Sequence, residues 1–289
     1  MRPHLTDAGC PGGSAARRTE AERIRRDFLS GDDALVTMGI ALRGPELSTL
    51  EVCRRDWKVA RELDLRPSVH IGNTPAALAM EPVKLLERCG LLVEGAHYVH
   101  ATWLSADERR RIAESGGGVV ITPTADSRLR FGIPAIHATI ASGIRPALGV
   151  DVVTSTAGDM FGEMRAAHML SRIHSQADQN VTATDVLRFA TGDAATAIGL
   201  AHRVGSIERG KKADLILLNP DRSFLPLSVN VSTFVAFYAE RQHVDTVIVG
   251  GHLLKRRGQL LGVNRHAIRA RLRASLADLR ERARAKKQP

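Results

Sequence analysis

The sequence predicts an α/β protein built on parallel strands joined by crossover helices. Three observations predict it. Between residues 34 and 150, short apolar runs alternate strictly with segments of helical period. The connections are a few residues long, and parallel neighbours need a crossover helix rather than a tight turn. Polar residues His70, His100, Thr122 and Asp151 stand at or just past the ends of four of the five apolar runs. Periodicity alone leaves two architectures open, a (β/α)8 barrel and an open doubly wound sheet.

Taken in order, residues 1–30 read as an irregular N-terminal segment that turns helical around "TEAERIRRDFLS". "ALVTMGIAL" (34–42) has the length of a buried strand. "LSTLEVCRRDWKVARELDL" follows as a helix, with Leu50, Cys53, Trp57 and Ala60 at helical spacing. "PSVHIG" supplies a strand at 67–71, and "AALAMEPVKLLERCG" a helix ending at Gly90. "AHYVHAT" gives the strand 97–101. The next helix, "SADERRRIAESGG", begins on a capping box of Ser105 and Glu108 and stops at glycine. "GVVITPT" gives the strand 118–122, "AIHATIASGI" a helix, and "RPALGVDVV" the strand 146–150.

After Asp151 the pattern changes. "GDMFGEMRAAHMLSRIHS" and "TATDVLRFATGDAATAIGL" read as two long amphipathic helices. "VGSIERGKKADLILLNP" and "HVDTVIVGGHLLKRRGQLL" read as short strands joined by Gly-rich turns, a small β appendage over 203–262. Residues 263–289 form a basic helix or tail. Nine Lys or Arg from Arg265 onward, against Asp278 and Glu281, supply +7 of the net +10. A basic end can meet an anionic surface, but this one has no aromatic residue to stack a base. A solvated terminal helix is expected, with no nucleic-acid partner.

Composition narrows the class further. No apolar run reaches 18 residues and the N-terminus has no h-region, so no membrane span is expected. Cys10, Cys53 and Cys89 are odd in number and widely spaced, which argues against a disulfide scaffold and for a reducing, cytoplasmic setting.

Five segments carry a resemblance. "VHATWLSADE", "VVITPTADSRLRFGI", "RPALGVD", "ATGDAATAIGL" and "VGSIERGKKADLILLN" occur in this order at suitable spacing. Together they resemble the amidohydrolase superfamily, in its cytosine deaminase and triazine hydrolase branch, across residues 30–262. The last segment is the most specific; each histidine alone would be weak. The resemblance implies a (β/α)8 TIM-type barrel with a small β-sandwich made from both chain ends. Residues 31–202 would then be barrel and 203–262 part of the sandwich. The strand at 34–42 resembles the family's fourth, so the barrel is expected to be incomplete, holding about strands 4–8. The family's His-x-His ligand pair has no match: His4 stands alone, and "HYVH" has the wrong spacing.

The resemblance also implies the site. His70 matches a metal ligand after the fifth strand; read without that context it is a hydrogen-bonded core histidine. His100 matches a catalytic histidine that positions water or polarises substrate. Asp151 matches a carboxylate that binds metal and takes a proton from water; the competing reading is a helix N-cap. Asn73 departs from the pattern. Deaminating members carry Glu there to shuttle a proton, whereas an amide can orient substrate but cannot act as acid or base. Arg128, in the loop "PTADSR", is a candidate for binding an anionic substrate group, with a surface ion pair as the alternative. His97 is expected to face outward or into the helix layer, and His137 to face solvent.

The function implied is metal-dependent hydrolysis of a non-peptide C–N bond, or a C–halogen bond, in a small cyclic, nucleobase- or triazine-like substrate. The cofactor implied is a divalent metal, Zn or Fe, which the missing His-x-His pair is expected to leave under-occupied. The partners implied are a small-molecule substrate and a homo-oligomer. The alternative is an inactive, truncated family member acting as a binding partner or a gene remnant.

Overall fold

The computed structural model describes residues 14–29, 31, 34–173, 180–222 and 230–285. A first helix, α1 (Ser14–Asp27), begins five residues before the helical stretch expected from Thr19, and is laced by the pairs Arg18–Glu22 and Arg23–Glu20. His4, Cys10 and the rest of residues 1–13 lie outside the described residues.

Five strands then pair in parallel: β1 (Gly39–Leu42), β2 (Arg66–Ile71), β3 (His97–His100), β4 (Gly118–Ile121) and β5 (Ala147–Leu148). Their order in the sheet is the order in the chain. A doubly wound sheet reverses direction at a switch point, and this sheet has none. The fold is therefore α/β, an arc of a (β/α)8 barrel with five strands among the described residues. The crossovers are α2 (Leu50–Glu62), the pair α3 (Ala77–Met80) and α4 (Pro82–Arg88), α5 (Ala106–Glu114), and the pair α6 (Pro123–Arg128) and α7 (Ile136–Ala141). Three helices follow β5: α8 (Met160–Ile173), α9 (Ala183–Phe189) and α10 (Gly192–Ala197). A short helix, α11 (Val231–Thr233), runs into a π turn over Phe234–Tyr238.

The appendage is a four-stranded antiparallel sheet: β6 (Leu215–Leu218), β7 (Val244–Val249), β8 (His252–Arg256) and β9 (Gln259–Leu260). The chain ends in α12 (Arg265–Ala285), exposed along its whole length. Residues 286–289 of the basic end lie outside the described residues.

The two faces of the parallel sheet differ. Val69, Ile71, Tyr98, Val119 and Ile121 are almost fully buried. Tyr98 packs beside Gly117 and Ile112, so this face carries the helices. Ser68, His70, His97, Val99 and Val120 alternate with them on the inner face, and none is fully buried. His97 thus shares the inner face rather than the helix layer.

Several expected elements are shorter or divided. β1 begins at Gly39, not at residue 34, because β2 starts only at Arg66 and leaves 34–38 nothing to pair with. β5 keeps two residues of the expected five. The helix expected through 76–90 breaks at Glu81, whose φ is 51°, because Pro82 disfavours helical backbone before it and starts α4 instead. The helix expected through 182–200 breaks at Thr191, with φ −130° and ψ −94°, just before Gly192. "PTADSR" is not a loop but the helix α6. His137 is only partly exposed; its Nε2 lies 2.9 Å from the Ser171 carbonyl and ties α7 to α8.

Candidate active site

The C-terminal ends of β2, β3, β4 and β5 form one rim, and on it stand His70, His100, Thr122 and Asp151. The backbone turns sharply there. His100, Ala101 and Asp151 have φ of 74°, 52° and 54°, a region that costs residues with a Cβ on the order of 1–2 kcal/mol. Buried Arg109 on α5 holds the first of these turns. Its guanidinium donates to the carbonyls of Leu104 (2.6 Å), Ala101 (2.9 Å) and Thr102 (3.1 Å). Glu108, also buried, closes the Ser105 capping box and accepts the Val83 N–H at 3.0 Å, joining α5 to α4.

The His100 ring is buried and stacks on His70, with centroids 5.3 Å apart and planes at 24°. Phe131 meets His100 in a T-shaped arrangement, with ring centroids 5.1 Å apart. Desolvation lowers the His70 pKa and the neighbouring His100 lowers it further, while Asp151 raises it. The Asp151 charge therefore reaches His70 across the rim. The Asp151 side chain has no hydrogen-bond partner among the described residues, and it does not cap a helix. Asn73 is half-buried, also without a side-chain hydrogen bond among the described residues. Arg128 is exposed at the end of α6, with no hydrogen bond or ion pair among them, and nothing brings it to the histidines.

Two acidic residues join the rim that the sequence reading did not single out. Asp126 on α6 is fully buried, with Oδ1 2.7 Å from His100 Nδ1 and 2.9 Å from Thr122 Oγ1, and Oδ2 3.3 Å from the Thr122 N–H. Its signal was the wrong one to look for: a carboxylate four residues past a strand end reads as a first-turn helix charge. Glu46, in the loop after β1, accepts the Gly72 N–H on Oε2 at 2.7 Å, and its Oε1 is buried without a partner among the described residues. Burial raises its pKa. Gly44 lets this loop close on β2, since a Cβ there would meet the His70 carbonyl at 2.8 Å.

Two cavities of about 700 and 640 Å³ lie at the other end of the sheet, around Arg66 and Gly199, and neither includes His70, His100 or Asp151. Among the described residues, no three His, Cys, Asp or Glu side chains gather closely enough to hold a metal ion. No helix among them is long and apolar enough to cross a membrane.

The chain is similar to several characterised proteins. It is 30% identical over 258 residues to a 5-methylthioadenosine/S-adenosylhomocysteine deaminase of Pyrococcus furiosus, a match covering 86% of this chain and 61% of that protein. It is 27% identical over 264 residues to a 5'-deoxyadenosine deaminase of Methanothermobacter thermautotrophicus, covering 89% of this chain and 61% of that one. A zinc-bound adenosine deaminase of Xanthomonas campestris superposes with a TM-score of 0.83 at 28% identity, over 92% of this chain and 62% of its own. An atrazine chlorohydrolase of Arthrobacter aurescens, complexed with zinc, superposes with a TM-score of 0.79 at 19% identity, over 90% and 60%, a likeness of fold. The chain thus spans about three fifths of the length of these proteins. The model of the amidohydrolase family matches residues 6–254, and with the barrel arc and its rim of strand-end histidines this shows that the chain belongs to that family.

Proposed function

We propose that this chain carries part of the active-site rim of a metal-dependent hydrolase acting on a C–N or C–halogen bond of a small cyclic, nucleobase- or triazine-like substrate. The observation that carries the reading is the convergence of His70, His100 and Asp151 from β2, β3 and β5 on one rim, with His70 and His100 stacked. The similarity to deaminases of purine nucleosides supports the substrate class. In this reading His70 and Asp151 are ligands for a divalent metal, zinc or iron, and His100 faces the water or substrate. Asn73 orients substrate by hydrogen bonds and transfers no proton. Arg128 is kept as a distant candidate for a charged substrate group. The division into barrel residues 31–202 and appendage 203–262 belongs to the same proposal, as does a cytoplasmic setting, consistent with free Cys53 and Cys89.

The residues described do not by themselves fit a complete metal site, because no group of three ligands forms. A hydrolytic metal needs about three protein ligands and an open position. Further ligands must come from outside this set, from the same polypeptide or a second one. The same observation favours a second reading, a family member that binds but does not hydrolyse. Elemental analysis after three further barrel strands are supplied separates the two: about one tightly held metal per chain supports the first, and none supports the second. The activity test follows ammonia and chloride release from amino-purines, amino-pyrimidines and chlorotriazines after three further barrel strands are supplied, in cis or as a second polypeptide. Turnover lost in Asp151→Ala is expected. Turnover indifferent to that change would overturn the assignment.

A further inference from the structure

We infer that Asp126 is a positioning residue that holds His100 in the Nδ1–H tautomer and presents Nε2 to the rim as a hydrogen-bond acceptor. The inference rests on the functional reading above for its consequence, and on geometry alone for its substance.

Three polar contacts converge on the buried Asp126 side chain: His100 Nδ1 at 2.7 Å and Thr122 Oγ1 at 2.9 Å on Oδ1, and the Thr122 N–H at 3.3 Å on Oδ2. A carboxylate accepts and does not donate. The single hydroxyl hydrogen of Thr122 therefore goes to Oδ1. Thr122 Oγ1 also lies 3.2 Å from His100 Nδ1, and having spent its hydrogen it can only accept there. Both neighbours of Nδ1 are then acceptors, so Nδ1 carries the proton. The other tautomer would set a ring lone pair against a carboxylate oxygen at 2.7 Å between two buried side chains, a mismatch worth about 1–3 kcal/mol. With Asp126 fully buried and His100 at 1% exposure, neither partner can turn to solvent instead.

The remaining nitrogen, Nε2, has no partner among the described residues. In the Nδ1–H tautomer it has a lone pair and no hydrogen. It accepts from a water O–H and cannot donate to a substrate oxygen. Of the two roles that the family resemblance implies for His100, the network selects the positioning of water over the polarisation of substrate.

The test is multiple-bond ¹H–¹⁵N correlation of the histidine rings in the 289-residue chain at neutral pH. His100 is assigned by the signal lost in His100→Gln. The native chain is expected to show His100 as Nδ1–H. Asp126→Asn, nearly isosteric but able to donate as well as accept, is expected to convert a large share of that signal to Nε2–H, while thermal melting checks that the fold survives. Thr122→Val, which removes the lesser partner, is expected to leave Nδ1–H dominant. The inference is overturned if native His100 is Nε2–H, if Asp126→Asn leaves the tautomer unchanged, or if Thr122→Val shifts it as far as Asp126→Asn does. Should Asp126→Asn fail to fold, the native spectrum still decides. None of these readouts needs turnover, so failure of the hydrolase reading and failure of this one are distinguishable.

Discussion

Replacing Tyr98 by Phe should make this protein more stable. Tyr98 is fully buried on the helix side of β3, and its hydroxyl has no hydrogen-bond partner among the described residues. Burial also pushes the phenol pKa up, so the group stays neutral. The ring cannot shift to find a partner, because Gly117 leaves so little room that a Cβ there would lie 2.9 Å from Tyr98 Cε2. An unmatched buried hydroxyl costs about 1–3 kcal/mol, and Phe removes it without opening a cavity. A gain of about 1–2 kcal/mol is expected, which in a chain of this size raises Tm by about 2–4 °C per kcal/mol. Urea titration should show a higher midpoint at unchanged slope, the mark of altered stability rather than an altered unfolded state. The His100 tautomer should not move, since Tyr98 points away from the inner face. A loss of stability of about 1 kcal/mol or more would refute the argument and show that the hydroxyl is bonded after all, to a water or to residues outside those described.

Three further outcomes are expected. Asn73→Glu in the 289-residue chain should release no ammonia from a panel of amino-purines, amino-pyrimidines and amino-triazines, because a proton shuttle acts on water that a complete metal site must first make far more acidic than bulk water. Burial raises the Glu163 pKa above its ordinary 4.5, so its contribution to stability is fullest below that pH and is lost as pH rises through the folded-state value. Glu163→Gln keeps an acceptor for the Thr124 N–H and should flatten that decline, leaving the variant more stable than native at pH 8 in parallel melts. Gly44→Ala should destabilise by about 1–3 kcal/mol, since the new methyl meets the His70 carbonyl at 2.8 Å, and denaturant midpoints would show it.

The sheet was legible because alternation of apolar runs and helical periods is a local signal, repeated five times. Its order was not. Barrel arc and doubly wound sheet share that signal, and only the pairing β1 to β5 without reversal separates them. The two divided helices had local signals, Pro82 and Gly192, outweighed by the longer apolar period on either side. At the rim, His70, His100 and Asp151 could be found because strand ends can be counted. Asp126 and Glu46 could not. Asp126 reaches His100 only because the β3 chain turns into left-handed backbone at that residue and the ring meets the start of α6. Glu46 is placed by a close approach at Gly44 that spacing does not report.

The left-handed backbone at His100, Ala101 and Asp151 has a consequence for how this protein can be altered. Glycine is the residue that such a conformation favours, and each substitution would relieve about 1–2 kcal/mol. Ala101→Gly can take that gain at no chemical loss. Asp151→Gly would take the same gain and remove a rim carboxylate, whereas His100→Gly would lose more than it gains, because it leaves Asp126 buried without its partner at 2.7 Å. A search for thermostable variants scored by melting temperature alone should therefore drift towards glycine at 101 and 151 and return sturdier proteins whose rim lacks its carboxylate. Screened for ligand binding as well, the same library should accept glycine only at 101.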